Sequence, residues 1–123
     1  MTITVLYVDD EDDLREIAAM SIELDPGMTV RTCRSGREAL AMLETWTPDI
    51  ILLDLMMPGM DGPATQTAIR ERFGPSVPVV YITARTEQTE HARLVAMGAL
   101  GVIAKPFDPM TLARQIRDFM PNG

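Results

Sequence analysis

Five residues of this 123-residue chain are of the types that could do chemistry on an anionic group: Asp9, Asp10, Asp54, Thr83 and Lys105. Each stands at or just past the end of an apolar run, where a buried segment meets solvent. Asp54 is the sharpest case. Ile50-Ile51-Leu52-Leu53 leads straight into it, and Pro58-Gly59 and Asp61-Gly62 follow closely. A carboxylate in that position is costly without a cation, a proton or a reaction partner. Three carboxylates gathered in one hollow would repel, each raising the pKa of the others. A hard divalent cation relieves that repulsion. Mg2+ binds through one or two carboxylates, keeps several waters and is completed by phosphate oxygens. Cys33 and His91 are single residues of their kind, so no softer metal is indicated. Ten of the eleven basic residues are Arg, and Lys105 is the sole Lys, a compact point charge at the end of an apolar run. Together these groups suit a phosphoryl group at Asp54. The cation and Lys105 would neutralise its charge, Thr83 would donate a hydrogen bond, and a carboxylate oxygen would take it up as an aspartyl-phosphate.

That chemistry requires distant segments to meet, and the alternation of elements predicts how. Thr2 to Val8, Met28 to Cys33, Ile50 to Leu53, Val77 to Thr83 and Leu100 to Ala104 read as strands. Between and after them come five helical patterns. The first carries Leu14, Ile17, Ala18, Ser21, Ile22 and Leu24, with Asp12 as N-cap and Asp25-Pro26-Gly27 as its end. The second opens on Ser35-Gly36-Arg37-Glu38, a capping box, and carries Ala39, Leu40, Met42 and Leu43. The third runs from Pro63 to Phe73 with Ala64, Ala68 and Ile69 inward. The fourth runs from Thr86 to Met97 and contains Leu94 and Val95. The fifth starts at Asp108-Pro109, an N-cap followed by Pro at the first helical position, buries Leu112, Ile116 and Phe119, and stops at Pro121. Five strand–helix repeats predict a doubly wound parallel sheet, flavodoxin-like, with strand order 2-1-3-4-5. In such a sheet ligands bind at the carboxyl ends of the strands. Asp9 and Asp10, Asp54, Thr83 and Lys105 would all lie there.

Composition narrows the classes further. The chain is long enough for one cored domain, residues 1–123, with no interdomain linker, internal repeat or low-complexity segment. A net charge of −7 disfavours direct nucleic-acid contact, which needs a basic face. One cysteine forms no internal disulfide and fits a reducing compartment. The first residues lack signal-peptide character, and no run approaches the roughly 18 apolar residues of a membrane span. The expected location is the cytoplasm, away from the membrane.

Four motifs in register, Val8-Asp9-Asp10-Glu11, Asp54-Leu55-Met56-Met57-Pro58-Gly59-Met60-Asp61-Gly62, Thr83-Ala84 and Lys105-Pro106-Phe107, resemble the receiver domain of bacterial two-component response regulators. The likeness covers essentially the whole chain. It implies that Asp54 is the phosphoacceptor. Asp10 would bind Mg2+ (or Mn2+) directly, Asp9 mostly through water, and Met56 through its backbone carbonyl. Thr83 would move toward the phosphoryl group, Ala84 would leave access to it, and Lys105 would pair with it, joined to Pro106 by a cis bond. The phosphodonor would be a sensor histidine kinase or a histidine phosphotransfer protein. Output would pass through a face formed by the fourth helix, fifth strand and fifth helix, toward a protein target or a second copy. Arg93, Arg114 and Arg117 would offer charge there. One position departs from the family. Val102 stands where a Tyr or Phe usually turns inward on phosphorylation, so that part of the switch is absent or carried elsewhere.

Plainer roles compete for some residues. Acids at the start of a helix favour its dipole, which accounts for Asp12 and Asp13. Asp61-Gly62 suits helix-start chemistry. His91 reads as a solvated surface residue, the Met residues at 56, 57 and 60 as adaptable packing, and Trp46 as a lid on the core. A rival function is a phosphohydrolase working through the same aspartyl-phosphate. Phosphatases of the haloacid-dehalogenase type place a second acid two residues after the nucleophile, where this chain has Met56. The expectation is therefore a non-enzymatic switch that assists its own phosphorylation and only slow dephosphorylation. It carries no output domain, as a complete regulator or as the receiver part of a larger DNA-binding one. A nucleotide carrier is disfavoured because no glycine-rich phosphate loop follows a strand.

Overall fold

A computed structural model describes residues 2–85 and 87–120. Five strands, β1 (Ile3–Val8), β2 (Met28–Cys33), β3 (Ile50–Asp54), β4 (Val79–Thr83) and β5 (Gly101–Ala104), form one parallel sheet in the order β2-β1-β3-β4-β5. Five helices alternate with them: α1 (Asp12–Ile22), α2 (Gly36–Leu43), α3 (Gly62–Phe73), α4 (Gln88–Ala96) and α5 (Leu112–Phe119). The predicted doubly wound fold and strand order are the observed ones.

Strand residues alternate between two cores, because successive side chains leave a strand on opposite faces. Leu6, Val8, Ile51, Leu53, Val79 and Tyr81 pack with Ala39, Leu40 and Leu43 of α2, Ile69 of α3 and Leu94 of α4. Val5, Tyr7, Ile50, Leu52, Val80 and Ile82 pack with Ala18 and Ile22 of α1 and Leu112 and Ile116 of α5. Both faces of β3 are covered, which is why its sequence is apolar without alternation. Each fully buried Ile or Leu contributes about 1.5–3 kcal/mol. β3 is thus a rigid support for the carboxylate at its end.

Several element ends differ from expectation for local reasons. The N-cap position of α1 is Glu11 and not Asp12, without a side-chain cap hydrogen bond; the helix closes at Ile22, before Leu24, and both Ile17 and Leu24 are exposed. Asp12 pairs instead with Arg15 from within the first turn. α5 begins at Leu112, after a turn in which the Asp108 carboxylate accepts the Met110 amide, so Asp108-Pro109 opens a turn and not the helix. Half of the capping box of α2 forms, with the Glu38 amide donating to Ser35 Oγ at 3.1 Å, whereas the Glu38 carboxylate accepts from the Arg34 amide and not from that of Ser35. In α3, Ala64 faces solvent, and Thr65 and Gln66 take the buried positions beside Ile69. Gln66 Oε1 accepts a 2.6 Å hydrogen bond from the Tyr81 hydroxyl, while its Nε2 is buried with no hydrogen-bond partner among the described residues. In α4, Leu94 is buried and Val95 exposed. The predicted helix start at Thr86 and the stop at Pro121 lie outside the described residues.

Candidate functional site

The carboxyl ends of β1, β3, β4 and β5 converge on one hollow of about 310 Å3, lined by Glu11, Asp54, Met56, Thr83, Ala84, Arg85 and Lys105. Parallel pairing sets who meets whom. Val8 is level with Leu53, Asp54 with Ile82, and Thr83 with Ala104. Asp9 follows Val8, so Asp9 and Asp54 arrive side by side. The Lys105 amide donates to the Thr83 carbonyl at 2.8 Å, which hangs the lysine beside the threonine. Asp54 belongs to the strand itself, one residue deeper than its sequence suggests, and is buried.

Asp9 and Thr83 are buried as well, whereas Asp10 is exposed. Among the described residues, Asp9, Asp10 and Asp54 each present a carboxylate oxygen within 4.8 Å of the others. Lys105 Nζ bridges two of them, 3.1 Å from Asp9 Oδ2 and 3.2 Å from Asp54 Oδ2, with Glu11 Oε1 at 3.8 Å. Asp9 is fixed further by the Tyr7 hydroxyl at 2.9 Å and the Glu11 amide at 3.0 Å, while Arg15 Nη1 donates to its carbonyl at 2.7 Å. Burial, followed by the Asp9 charge, pushes the Asp54 carboxyl up to about 6 against the opposing pull of Lys105. Burial alone would lower the Lys105 ammonium, but Asp54 and Asp9 outweigh it and the net direction is upward. Burial and then Asp9 drive the Tyr7 phenol far above its ordinary range, so it stays a donor.

The donor set is one of hard oxygens at short mutual distance, which fits Mg2+ or Mn2+ and not a soft metal. Met56 is exposed at the mouth, with Arg85 Nη2 4.0 Å from its sulfur. Ala84, small and exposed, leaves the mouth open beside Thr83. The Lys105–Pro106 peptide is cis. Asp61 is the N-cap of α3, accepting the Ala64 amide at 2.9 Å, and takes no part in the hollow. Val102 lies apart from the carboxylates. It is level with Tyr81 across β4 and β5, half-buried against the α3 and α4 side.

Sequence reading overlooked four contributors. Tyr7 could have been found, because it precedes Asp9 by two residues and so shares its side of β1. Arg15 and Arg85 lie in connecting or helical segments, where no periodicity points inward. His91 is half-buried, and its Nε2 lies 2.8 Å from the Arg85 carbonyl, so it is not the freely solvated residue expected. Two of the three arginines expected at a partner face are already committed within the chain. Arg93 pairs with Glu90 at 2.8 Å, and Arg117 holds Asp25 at 2.6 and 2.9 Å. Arg114 is exposed and makes no ion pair among the described residues.

Residues 5–117 match the family described as response regulator receiver domain. The transcriptional regulatory protein CseB of Streptomyces coelicolor is 35% identical over 113 residues, covering 92% of this chain and 47% of that protein. The DNA-binding transcriptional regulator NtrC of Salmonella typhimurium is 36% identical over 104 residues, 85% of this chain and 22% of that protein. The chain therefore spans half or less of the length of these relatives. The solved structure of the chemotaxis response regulator CheY4 of Vibrio cholerae superposes with a TM-score of 0.88 at 31% identity, covering 98% of this chain and 100% of that one.

Proposed function

The chain belongs to the response regulator receiver domain family, and from that premise we propose that Asp54 accepts a phosphoryl group from a phosphohistidine on a sensor histidine kinase or histidine phosphotransfer protein. An Asp54 oxygen attacks phosphorus, the phosphorus–nitrogen bond breaks, and its electron pair leaves with the imidazole. Lys105 Nζ lies between Asp54 and Asp9 and would pair with the incoming oxygens, and Thr83, which lines the same hollow, would donate its hydroxyl. Asp9, Asp10 and Asp54, with the Met56 backbone carbonyl, would hold Mg2+ or Mn2+. That ion, when bound, offsets the repulsion of the carboxylates and the phosphoryl charge.

One observation carries this reading. A buried carboxylate with a raised pKa, bridged to a second carboxylate by the sole lysine, forms the floor of an open hollow. The phosphohydrolase alternative gains nothing from the geometry. Two residues after Asp54 stands a thioether, and a thioether neither takes nor gives a proton. We read the chain as a switch whose product lasts, working on protein partners in the cytoplasm. No described helix is long and apolar enough to cross a membrane. Its output face would be the one built by α4, β5 and α5, used against a target or a second copy, with Arg114 the arginine there that makes no ion pair among the described residues. The length of CseB and NtrC also supports a receiver that operates within a larger DNA-binding regulator, its own acidic surface making no direct nucleic-acid contact.

The test is incubation with a labelled small acyl phosphate, with and without Mg2+, for the wild type and Asp54→Ala. Wild-type label should depend on Mg2+ and vanish in the variant. Label retained by Asp54→Ala, or uptake indifferent to the metal, overturns the assignment.

A further inference from the structure

We infer that His91 is a positioning residue of the phosphoryl site, acting through the Arg85 backbone to hold Thr83 and the β4–α4 connection in the phosphate-free arrangement. The inference rests on Asp54 being the phosphoacceptor, and it names the regulation of that site. Two hydrogen bonds make a strap. Thr83 Oγ1 accepts the Arg85 amide at 3.0 Å, and the Arg85 carbonyl lies 2.8 Å from His91 Nε2. A carbonyl has no hydrogen to give, so Nε2 carries the hydrogen and donates it. One peptide segment thus links a buried hydroxyl at the rim of the hollow to a ring on the outer part of α4.

The surroundings say why a histidine does this here. Between α4 and β5 runs a groove of about 510 Å3 lined by Gln88, His91, Ala92, Val95, Ala96 and Val102. The strand side of that groove offers only Val102, which cannot reorient a ring. The imidazole of His91 is the one ring among these lining residues, and it is fixed to the loop that follows Thr83. When Thr83 moves toward a phosphoryl group on Asp54, the Arg85 amide must follow it or be released. Following draws the Arg85 carbonyl against its bond to His91, which resists that course; release gives up the Thr83–Arg85 hydrogen bond and passes no pull to His91. The strap therefore favours the phosphate-free state, and the strain of following is delivered to α4. A ligand shifts such an equilibrium only by its differential affinity, so removing the strap makes the phosphoryl-bound state easier to reach.

Beryllofluoride with saturating Mg2+ is the probe, titrated calorimetrically into the wild type, His91→Leu, His91→Gln and Asp54→Ala. Gln places a donor nitrogen near the position of Nε2, whereas Leu removes the donor and keeps an apolar side chain in the groove. His91→Leu should bind beryllofluoride about fivefold more tightly than wild type, the ratio expected for one lost net hydrogen bond. His91→Gln should restore the wild-type value, and Asp54→Ala should not bind. Thermal melts report the folding of each variant separately, and a merely structural role would weaken binding and not tighten it. Unchanged or weaker binding by His91→Leu, or a His91→Gln that behaves like His91→Leu, overturns the strap. A wild type that fails to bind beryllofluoride overturns the phosphoacceptor reading, and with it the strap.

Discussion

At the scale of single residues, Asp54 is held in an environment that costs the fold stability. Its carboxyl is raised from 3.8 to about 6, chiefly by burial and then by Asp9. A group whose folded pKa lies above its unfolded one contributes stability below the unfolded value and loses it as pH rises through the folded value. In metal-free buffer the penalty should grow between about pH 4 and 6. At a little over 1 kcal/mol per unit it reaches on the order of 2–3 kcal/mol at neutral pH. Asp54→Asn should thus be more stable than wild type at pH 7 and indistinguishable from it at about pH 4. Mg2+ should close the gap at pH 7 by stabilising the wild type. Thermal midpoints at both pH values check this, and a variant less stable at pH 7 would contradict the assigned burial and repulsion. Asp9, Asp10, Asp54, Thr83 and Lys105 were legible because strand ends announce themselves as apolar runs stopped by a polar residue. His91 and Arg85 were not, because a bond between a side chain and a loop carbonyl leaves no mark in residue periodicity.

At the scale of elements, the start of α3 decides whether the loop after Asp54 can close. Gly62 is the first residue of that helix and is buried. A Cβ there would stand 2.7 Å from the Asp54 carbonyl oxygen and 2.8 Å from the Tyr81 ring. The carbonyl is part of the strand end and cannot swing aside as a flexible side chain would. Gly62→Ala should therefore cost about 1–3 kcal/mol, the usual range for overpacking. It should also displace Asp54 enough to lower acyl phosphate uptake about tenfold, since small misplacements of reacting groups are costly. Denaturant midpoints and initial labelling rates measure the two effects, and an alanine variant that labels normally would show that the strand end yields. The order of elements was legible throughout, because both cores demand their own apolar faces. Element ends were less so. Asp12 and Asp108 have the composition of N-caps, yet the chain enters α1 one residue earlier and α5 three residues later than a cap at Asp108 followed by Pro109 would give. Ala64 read as inward because alanine suits a core, but the Tyr81–Gln66 hydrogen bond turned a polar pair inward in its place.

At the scale of the whole molecule, two carboxylates far apart in the fold pull its pH dependence in opposite directions. Asp25, in the connection between α1 and β2, accepts two hydrogen bonds from Arg117 of α5, a residue 92 positions away. The Arg117 guanidinium and then the Gly27 amide lower the Asp25 carboxyl from 3.8 to about 2. A depressed folded pKa gives stability that is present above the unfolded value and lost as pH falls through the folded one. The link between the first helix connection and the last helix should therefore fail between about pH 4 and 2. Asp54 acts above that window, losing its contribution between about 4 and 6. The net charge of −7 adds self-repulsion in the same sense toward neutral pH. Without metal the protein should be most stable on the acid side of neutrality, between the ordinary carboxylate value and about 6. Saturating Mg2+ should move that maximum toward neutrality, because an ion held as proposed by Asp9, Asp10 and Asp54 would relieve their repulsion and leave Asp25 untouched. Asp25→Asn should flatten the acid limb and leave the Mg2+-dependent shift intact. Thermal midpoints across the pH range, with and without Mg2+, separate the two limbs. An acid limb unchanged in Asp25→Asn would mean that the two ends of the chain are joined by the core packing of α1 and α5 alone.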